Sequence, residues 1–425
     1  MKRWIAVVLI FCVIAGLAAC AAKTPPQSGG DALTEEEKQA ALEEVYHQLT
    51  KVHPRPYAHT PEKTLREKRE EVAARLPKLD RWGTALAIQE MAALLGDGHT
   101  SVSAGTAGHY LPFWLREVEG QYVLWAAEDE ELRGKVLVAI NGVAAEELAQ
   151  RLRPVISYEN EPWMRQCAGE DMGIMEYLRY AGAAQRLDGA QVAWRDPVNG
   201  EEGEQWVEAQ ADINVNAVPM EALRQHGSVP TLMRWASDDR RFYHVDALAD
   251  GTVYVQYNEC AEQPEYSVQQ LAEDTAAAVE SGGRLVIDLR YNSGGDNQAF
   301  YPMRVLVKVL VGQGAEVYGL IGTGTFSSAV WNAYDLRQAG ATLVGEPTGG
   351  CVSSPGNCAA LALPGGLSLW MAKQYRTYYA AIGDAGQADP LDGKPLLPVV
   401  TVRQTLADYI AGRDTVLEAV LSGLD

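Results

Sequence analysis

The most constraining feature is an alternation that begins near Gly251. Strand-like runs at 252–257, 285–289, 317–321 and 342–344 are separated by helix-like runs at 267–280, 302–311 and 328–339. Strands that alternate with helices of ten or more residues predict an α/β unit with a largely parallel sheet buried on both faces. The turns between them are rich in glycine: Asp288-Leu-Arg-Tyr-Asn-Ser-Gly-Gly-Asp296 after one strand, and Gly345-Glu-Pro-Thr-Gly-Gly350 after another. Such strand–turn–helix corners turn backbone N–H groups toward anions and oxyanions. Between these turns lies Gly324-Thr-Phe-Ser-Ser-Ala329, where a strand hands over to a helix. A serine at that position is a candidate nucleophile, and both Ser327 and Ser328 qualify. Thr325 and Ser328 also fit as helix caps.

Other parts of the chain read differently. Met1–Ala19 has Lys2 and Arg3 before an apolar run and ends in Leu17-Ala-Ala-Cys20, the pattern of an export signal whose cysteine becomes a lipidated N-terminus. Residues 20–33 then form a tether of small and turn-forming residues. Thr34 and Glu37 make a capping box, and helices are predicted over 34–49, 60–76 and 82–95, the second with Pro61 at its first position. Together with the turn after them, these helices give a subdomain over 34–105. Residues 106–185 read as a β-rich lobe followed by helix over 158–180, and 186–250 as a hairpin across Asn199-Gly200 plus an irregular connection. The α/β unit fills 251–425. A net charge of −20 argues against nucleic acid as a partner. The glycine turns lack a phosphate-loop lysine and a dinucleotide-binding spacing, and the cysteines lack zinc spacing, so no cofactor or metal is expected. In an exported chain Cys351 and Cys358 are expected to close a small disulfide loop, with Cys167 and Cys260 a second candidate pair.

His99 sits in Gly96-Asp97-Gly-His-Thr100, where glycines on both sides of the aspartate release the chain from the third helix. By itself a lone histidine in a turn is more often structural. The Asp-Leu-Arg-x-Asn-x-Gly-Gly turn, the Ser-Ser-Ala after a strand and the Gly-Glu-Pro-Thr-Gly-Gly turn resemble the tail-specific (C-terminal processing) serine peptidases. They are nearer the branch of the tricorn core protease and the retinoid-binding-protein repeats than the Ser-Lys branch. The Asp-Gly-His-Thr turn is similar to the one that carries that family's catalytic histidine.

The resemblance implies a crotonase-like α/β catalytic domain, a helical N-terminal subdomain and a β-rich, degenerate PDZ-like lobe that carries Val136-Leu-Val-Ala-Ile-Asn-Gly142. It implies Ser327 as nucleophile and His99 as base. The oxyanion would take N–H groups from Gly294 or Gly295 and from Ser328. Asp288 and Arg290 read as an ion pair that fixes the turn, with Asn292 supporting it. Two departures stand out: Val330 replaces the glutamate after the nucleophile, and Cys351 replaces the Ser-Lys branch's lysine. The family's orienting carboxylate falls on Asp392, in Asp392-Gly-Lys-Pro-Leu-Leu-Pro398; Asp389 and Glu346 are alternatives. The implied activity is peptide hydrolysis on exported or unfolded polypeptides by a membrane-anchored lipoprotein of the bacterial envelope. Two other classes stay open: a peptidase-like surface protein that binds without cutting, and a crotonase-like acyl enzyme acting on a small molecule.

Overall fold

The computed structural model describes residues 32–213, 242–378 and 391–424. The signal, Cys20 and its tether up to residue 31, Asp389 and most of the irregular connection therefore lie outside the described residues, while Leu33 is buried against the N-terminal helices. Among the described residues no helix is long and apolar enough to cross a membrane.

A six-stranded sheet carries the C-terminal half. Its strands lie in chain order: Tyr243–Ala247, Val253–Tyr257, Arg284–Asp288, Glu316–Ile321, Thr342–Gly345 and Val400–Thr401. The first pair is antiparallel and every later pair is parallel. Parallel neighbours need crossovers, which the helices Val268–Ala278, Tyr301–Gly312 and Ser328–Gln338 supply. All five residues of Val253–Tyr257 are buried, so alternate side chains feed two cores. Val255, Leu285 and Ile287 face Leu271, Met303, Val307 and Leu336 on the crossover helices. Tyr254, Val286, Leu320 and Val344 face Val416, Leu417 and Val420 of the last helix, Thr415–Ser422. Each such side chain contributes about 1.5–3 kcal/mol on burial, which is why these strands read as unbroken apolar runs.

The end of the third strand is held by charge. Arg290 Nη2 lies 2.6 Å from Asp288 Oδ2 and 2.6 Å from Asp414 Oδ2, all three side chains being buried. Asp288 also accepts from Tyr254 Oη at 2.7 Å. The expected Asp288–Arg290 pair is thus present, and Asp414 at the start of the last helix completes it. Removing Arg290 would strand two buried carboxylates at a cost of roughly 3–5 kcal/mol.

The N-terminal helices Glu35–His47, Glu62–Arg75 and Arg81–Ala93 pack on a three-stranded sheet made of Ser101–Ser103, Ser368–Met371 and Ala359–Ala362. Thr34 and Glu37 form both bonds of the capping box. Pro61 is the residue before the second helix, not its first, and Asp80 caps the third. The remaining lobe is an antiparallel sheet in the order Phe113–Val118, Gln121–Ala127, Val136–Ile140, Gly189–Arg195, Glu202–Glu208. The hairpin across Asn199-Gly200 therefore continues this sheet, and helices Ala145–Leu152, Glu161–Asp171 and Met175–Tyr180 cover it. The helix expected over 158–180 is split. Asn160 accepts from Trp163 N and starts a helix with Pro162 in its first turn, which leaves 157–160 as a loop.

Candidate active site

Ser327 is placed where a left-handed backbone meets a helix N-terminus. Its φ is 53° and ψ −126°, strained for a residue with a Cβ and worth about 1–3 kcal/mol. Neighbouring bonds hold it there. Phe326 N donates to Asn292 O at 3.0 Å, Gly350 N to Thr325 O at 3.1 Å, and Val330 N to Ser327 O at 3.0 Å. Thr325 Oγ1 donates to Leu289 O at 2.8 Å and accepts from Gly322 N, so it braces the turn. The strain lifts the Ser327 hydroxyl off the helix and toward His99.

His99 Nε2 lies 2.9 Å from Ser327 Oγ although the two are 228 positions apart. The third helix delivers the histidine: Gly96, at φ 63°, ends it, and Asp97 Oδ1 accepts His99 N at 2.8 Å. The imidazole stacks on Phe326 with centroids 4.6 Å apart, and Phe326 stacks on Trp163 at 4.1 Å. Gly98 is required beneath this stack, since a Cβ there would come within 2.8 Å of the Phe326 ring.

The other imidazole nitrogen answers to Glu159. His99 Nδ1 lies 3.0 Å from Glu159 Oε1, with both side chains 3% exposed. Glu159 Oε2 accepts the Cys351 N–H at 2.7 Å. The position that would hold a lysine in the Ser-Lys branch thus contributes its amide to the carboxylate behind the histidine. With Nδ1–H donating to Glu159, Nε2 is left to accept the serine hydroxyl.

Asp392, expected in the orienting role, is elsewhere. It is about half exposed and pairs with Arg55 at 3.4 Å and with the Tyr375 hydroxyl. Glu346 faces Arg403 at 3.4 Å. The carboxylates that reach the imidazole are instead Asp97 and Glu159, while the 391–398 segment pairs with Cys351 through Pro395 and with Ser353 through Asp392. Sequence reasoning missed Glu159 by placing it inside a helix; the signal available was Asn160 with Pro162, which starts the helix after it.

A fourth group stands behind these. Asp97 is fully buried, with Oδ2 3.0 Å from His53 Nε2 and 2.6 Å from Thr100 Oγ1. Burial pushes its pKa up, but hydrogen bonds from His53 and His99 outweigh this and hold the carboxyl well below the usual range. Burial pushes the His99 pKa down, and hydrogen bonds to Asp97 and Glu159 outweigh it in turn, carrying the imidazole up to about 9. Of these two, Glu159 is the closer to Nδ1; Asp97 Oδ1 is 3.5 Å away and already serves the backbone N–H. Asp97, His99 and Glu159 also have ligand atoms within 4.8 Å of one another. A metal bound there would have to displace the Nδ1 proton and the bonds these carboxylates already accept.

A tight corner forms between the glycine turn and the serine helix. A Cβ on Gly294 would lie 2.7 Å from Ser327 Cβ and 3.0 Å from Ser328 N, so the turn passes directly over Ser327. Gly294 N, however, donates to Asn292 Oδ1 at 2.9 Å, and Asn292 Nδ2 donates to Tyr257 O. Gly294 is therefore the spacer and not a donor, because its N–H is spent bracing the turn. Among the described residues the amides of Gly295 and Ser328 have no protein partner. Gly295 is held by Cys260, whose backbone pairs on both sides of it, and by Ser328 Oγ, which donates to Gly295 O at 2.6 Å.

All four described cysteines are free, so the expected Cys351–Cys358 bridge and the Cys167–Cys260 pair are absent. Cys260 is spent on the turn, its thiol 3.3 Å from Asn292 Oδ1 and 3.1 Å from Asn332 Nδ2. Cys351 turns into the site beside Glu159.

No protein-family model matches the chain, and no curated protein matches it. Among solved structures, mature CPAF superposes with a TM-score of 0.62 at 12% identity, over 89% of this chain and 94% of that one. Mature CPAF complexed with lactacystin gives 0.62 at 12% identity, over 89% and 96%. The tricorn protease gives 0.41 at 13% identity, over 92% of this chain and 36% of that one. The chain thus shares the mixed α/β fold of mature CPAF.

Proposed function

We propose that the chain is a serine-type peptidase that hydrolyses peptide bonds through an acyl-enzyme on Ser327. The observation that carries this reading is the continuous relay from Ser327 Oγ to His99 Nε2 at 2.9 Å and from His99 Nδ1 to Glu159 at 3.0 Å. In this reading His99 takes the hydroxyl proton as the serine oxygen bonds to the peptide carbonyl carbon. Gly295 and Ser328 N–H groups hold the oxyanion. Collapse of the tetrahedral adduct breaks the C–N bond as the imidazolium gives its proton to the leaving amine. His99 then activates the water that releases the acid. Glu159 fixes the tautomer and stabilises the imidazolium, and Asp97 fixes the backbone beneath it. The sheet of the C-terminal half is read as crotonase-like, and the antiparallel lobe as a degenerate PDZ-like module.

Leu17-Ala-Ala-Cys20 supports export and lipid anchoring at the cell envelope. Fractionation of full-length protein against Cys20→Ser tests this part: loss of membrane association is expected, and an unmodified N-terminus beyond Cys20 in the native host contradicts it. Labelling of Ser327 by a fluorophosphonate, together with cleavage of unfolded polypeptide, tests the peptidase reading. Absence of both leaves a protein that binds without cutting.

A further inference from the structure

The two amides read as oxyanion donors sit on different elements. Gly295 belongs to the turn after the strand Arg284–Asp288, and Ser328 to the head of the serine helix. Their spacing therefore depends on what ties turn to helix. One tie is direct, from Ser328 Oγ to Gly295 O at 2.6 Å. The other runs through a thiol. Cys260 Sγ–H donates to Asn292 Oδ1 at 3.3 Å, the same oxygen that takes Gly294 N. Cys260 Sγ in turn accepts from Asn332 Nδ2 at 3.1 Å, and Asn332 lies about one turn after Ser328 on the serine helix.

The main chain of Cys260 grips the same turn. Its N–H donates to Gly294 O at 3.0 Å and its carbonyl accepts from Asp296 N at 2.6 Å. A Cβ on Gly295 would collide with Cys260 O and lie 3.3 Å from Cys260 Cβ, so the turn is seated on this residue without slack. The thiol is fully buried, and burial pushes its pKa up. It therefore stays S–H and acts through hydrogen bonds, not as a nucleophile.

Asn332 is a costly residue where it stands. It is fully buried, its helix neighbours Val330, Ala333 and Leu336 belong to the apolar core, and among the described residues its Oδ1 has no partner. A buried amide that leaves an acceptor unpaired gives up stability that a leucine would keep. What the amide provides in return is its bond to the Cys260 thiol.

We propose that Cys260 and Asn332 are positioning residues that together set the distance between the Gly295 and Ser328 amides. Neither touches substrate. Each acts through an element that carries one donor, the glycine turn for Cys260 and the serine helix for Asn332. The proposal rests on the peptidase reading, since it concerns how that oxyanion corner is held in register.

The rate at which a fluorophosphonate modifies Ser327 reads the corner, because the phosphoryl oxygen takes the place of the oxyanion. On the full chain, Cys260→Ala and Asn332→Leu should each label about 10–100-fold more slowly than wild type, as when a donor is displaced but not removed. The double variant should be no slower than the slower single one, because both changes break one bridge. Cys260→Ser keeps a donor and an acceptor and should recover part of the rate. The acidic limb of labelling should stay at its wild-type pH in every variant, since His99, Asp97 and Glu159 are left alone; a general loosening of the fold would move it. On an unfolded polypeptide the loss should fall in kcat, with KM within about twofold of wild type. Wild-type rates in Cys260→Ala and Asn332→Leu, additive losses in the double variant, or a limb that moves with the rate overturn the proposal. Should Cys260→Ala fail to fold, Asn332→Leu and Cys260→Ser decide: slowed labelling at an unmoved limb supports the bridge, and wild-type rates refute it. A wild type that takes no label fails the peptidase reading and this proposal together, whereas a labelled wild type with unchanged variants overturns this proposal alone.

Discussion

Glu159 holds His99 by Nδ1 at 3.0 Å, and it does so from a loop in a different lobe, sixty residues further along the chain. Its other oxygen accepts the Cys351 amide at 2.7 Å, so one carboxylate ties the histidine turn to the loop beside the serine. Glu159→Gln keeps the shape but weakens the pull on the Nδ1 proton and allows the wrong tautomer. The expected loss in kcat is on the order of 10⁴, as for the equivalent change in a serine triad. Asp392→Asn should stay within about twofold of wild type, since its contacts are an exposed pair with Arg55 and the Tyr375 hydroxyl, away from His99. Steady-state kinetics of the two variants on one unfolded substrate makes the comparison; the reverse ranking would return the orienting role to Asp392.

The same hydrogen bonds set the pH dependence. A free imidazole titrates near pH ~6.5. His99 is carried up to about 9, with burial opposing and Asp97 and Glu159 prevailing. General-base action needs the neutral ring, so kcat/KM should rise with pH through that raised value. The acidic limb should therefore lie well above the ordinary histidine range. Glu159→Gln removes a stabiliser of the charged ring, so its limb should move to lower pH even as its plateau falls. A limb that stays near pH ~6.5 in wild type would show that the carboxylates do not act on the ring in this way.

The cysteines give a prediction about stability. Cys351 and Cys358 look from their spacing like a closed loop, which would contribute roughly 2–3 kcal/mol if bridged. Both are free, and burial pushes the pKa of each thiol upward. Alkylation in denaturant without reductant should modify Cys167, Cys260, Cys351 and Cys358, and reductant should leave Tm unchanged. A recovered Cys351–Cys358 cross-linked peptide would contradict this.

What the sequence discloses about such a site depends on how local each cause is. The parallel sheet was legible because burial on both faces forces apolar runs, and Val253–Tyr257 and Arg284–Asp288 are such runs. Ser327 and Gly295 were legible because a strained corner and a close backbone approach each demand particular residues in a short window. Gly294 and Gly295 stayed alternatives as donors because spacing alone cannot tell which amide Asn292 will take. Glu159 was only half legible: Asn160 and Pro162 mark it as a loop residue before a helix, but its partner exists only once Glu161–Asp171 packs beside the 349–351 turn. Asn160 fixes that packing by donating to Gly349 O at 2.7 Å and to Thr348 O at 3.2 Å, contacts spanning almost half of the chain. Asp392 was chosen by motif position, and a motif position does not report which way a surface loop faces.

Activation of Ser327 by His99 is open to one decisive measurement: reaction of the folded protein with a fluorophosphonate and mapping of the adduct by mass spectrometry. A single phosphonylated site at Ser327 is expected, absent in Ser327→Ala and slowed by about 10³-fold or more in His99→Ala. A folded wild type that takes no label, or that takes it at Ser328 with Ser327→Ala still reactive, would contradict it.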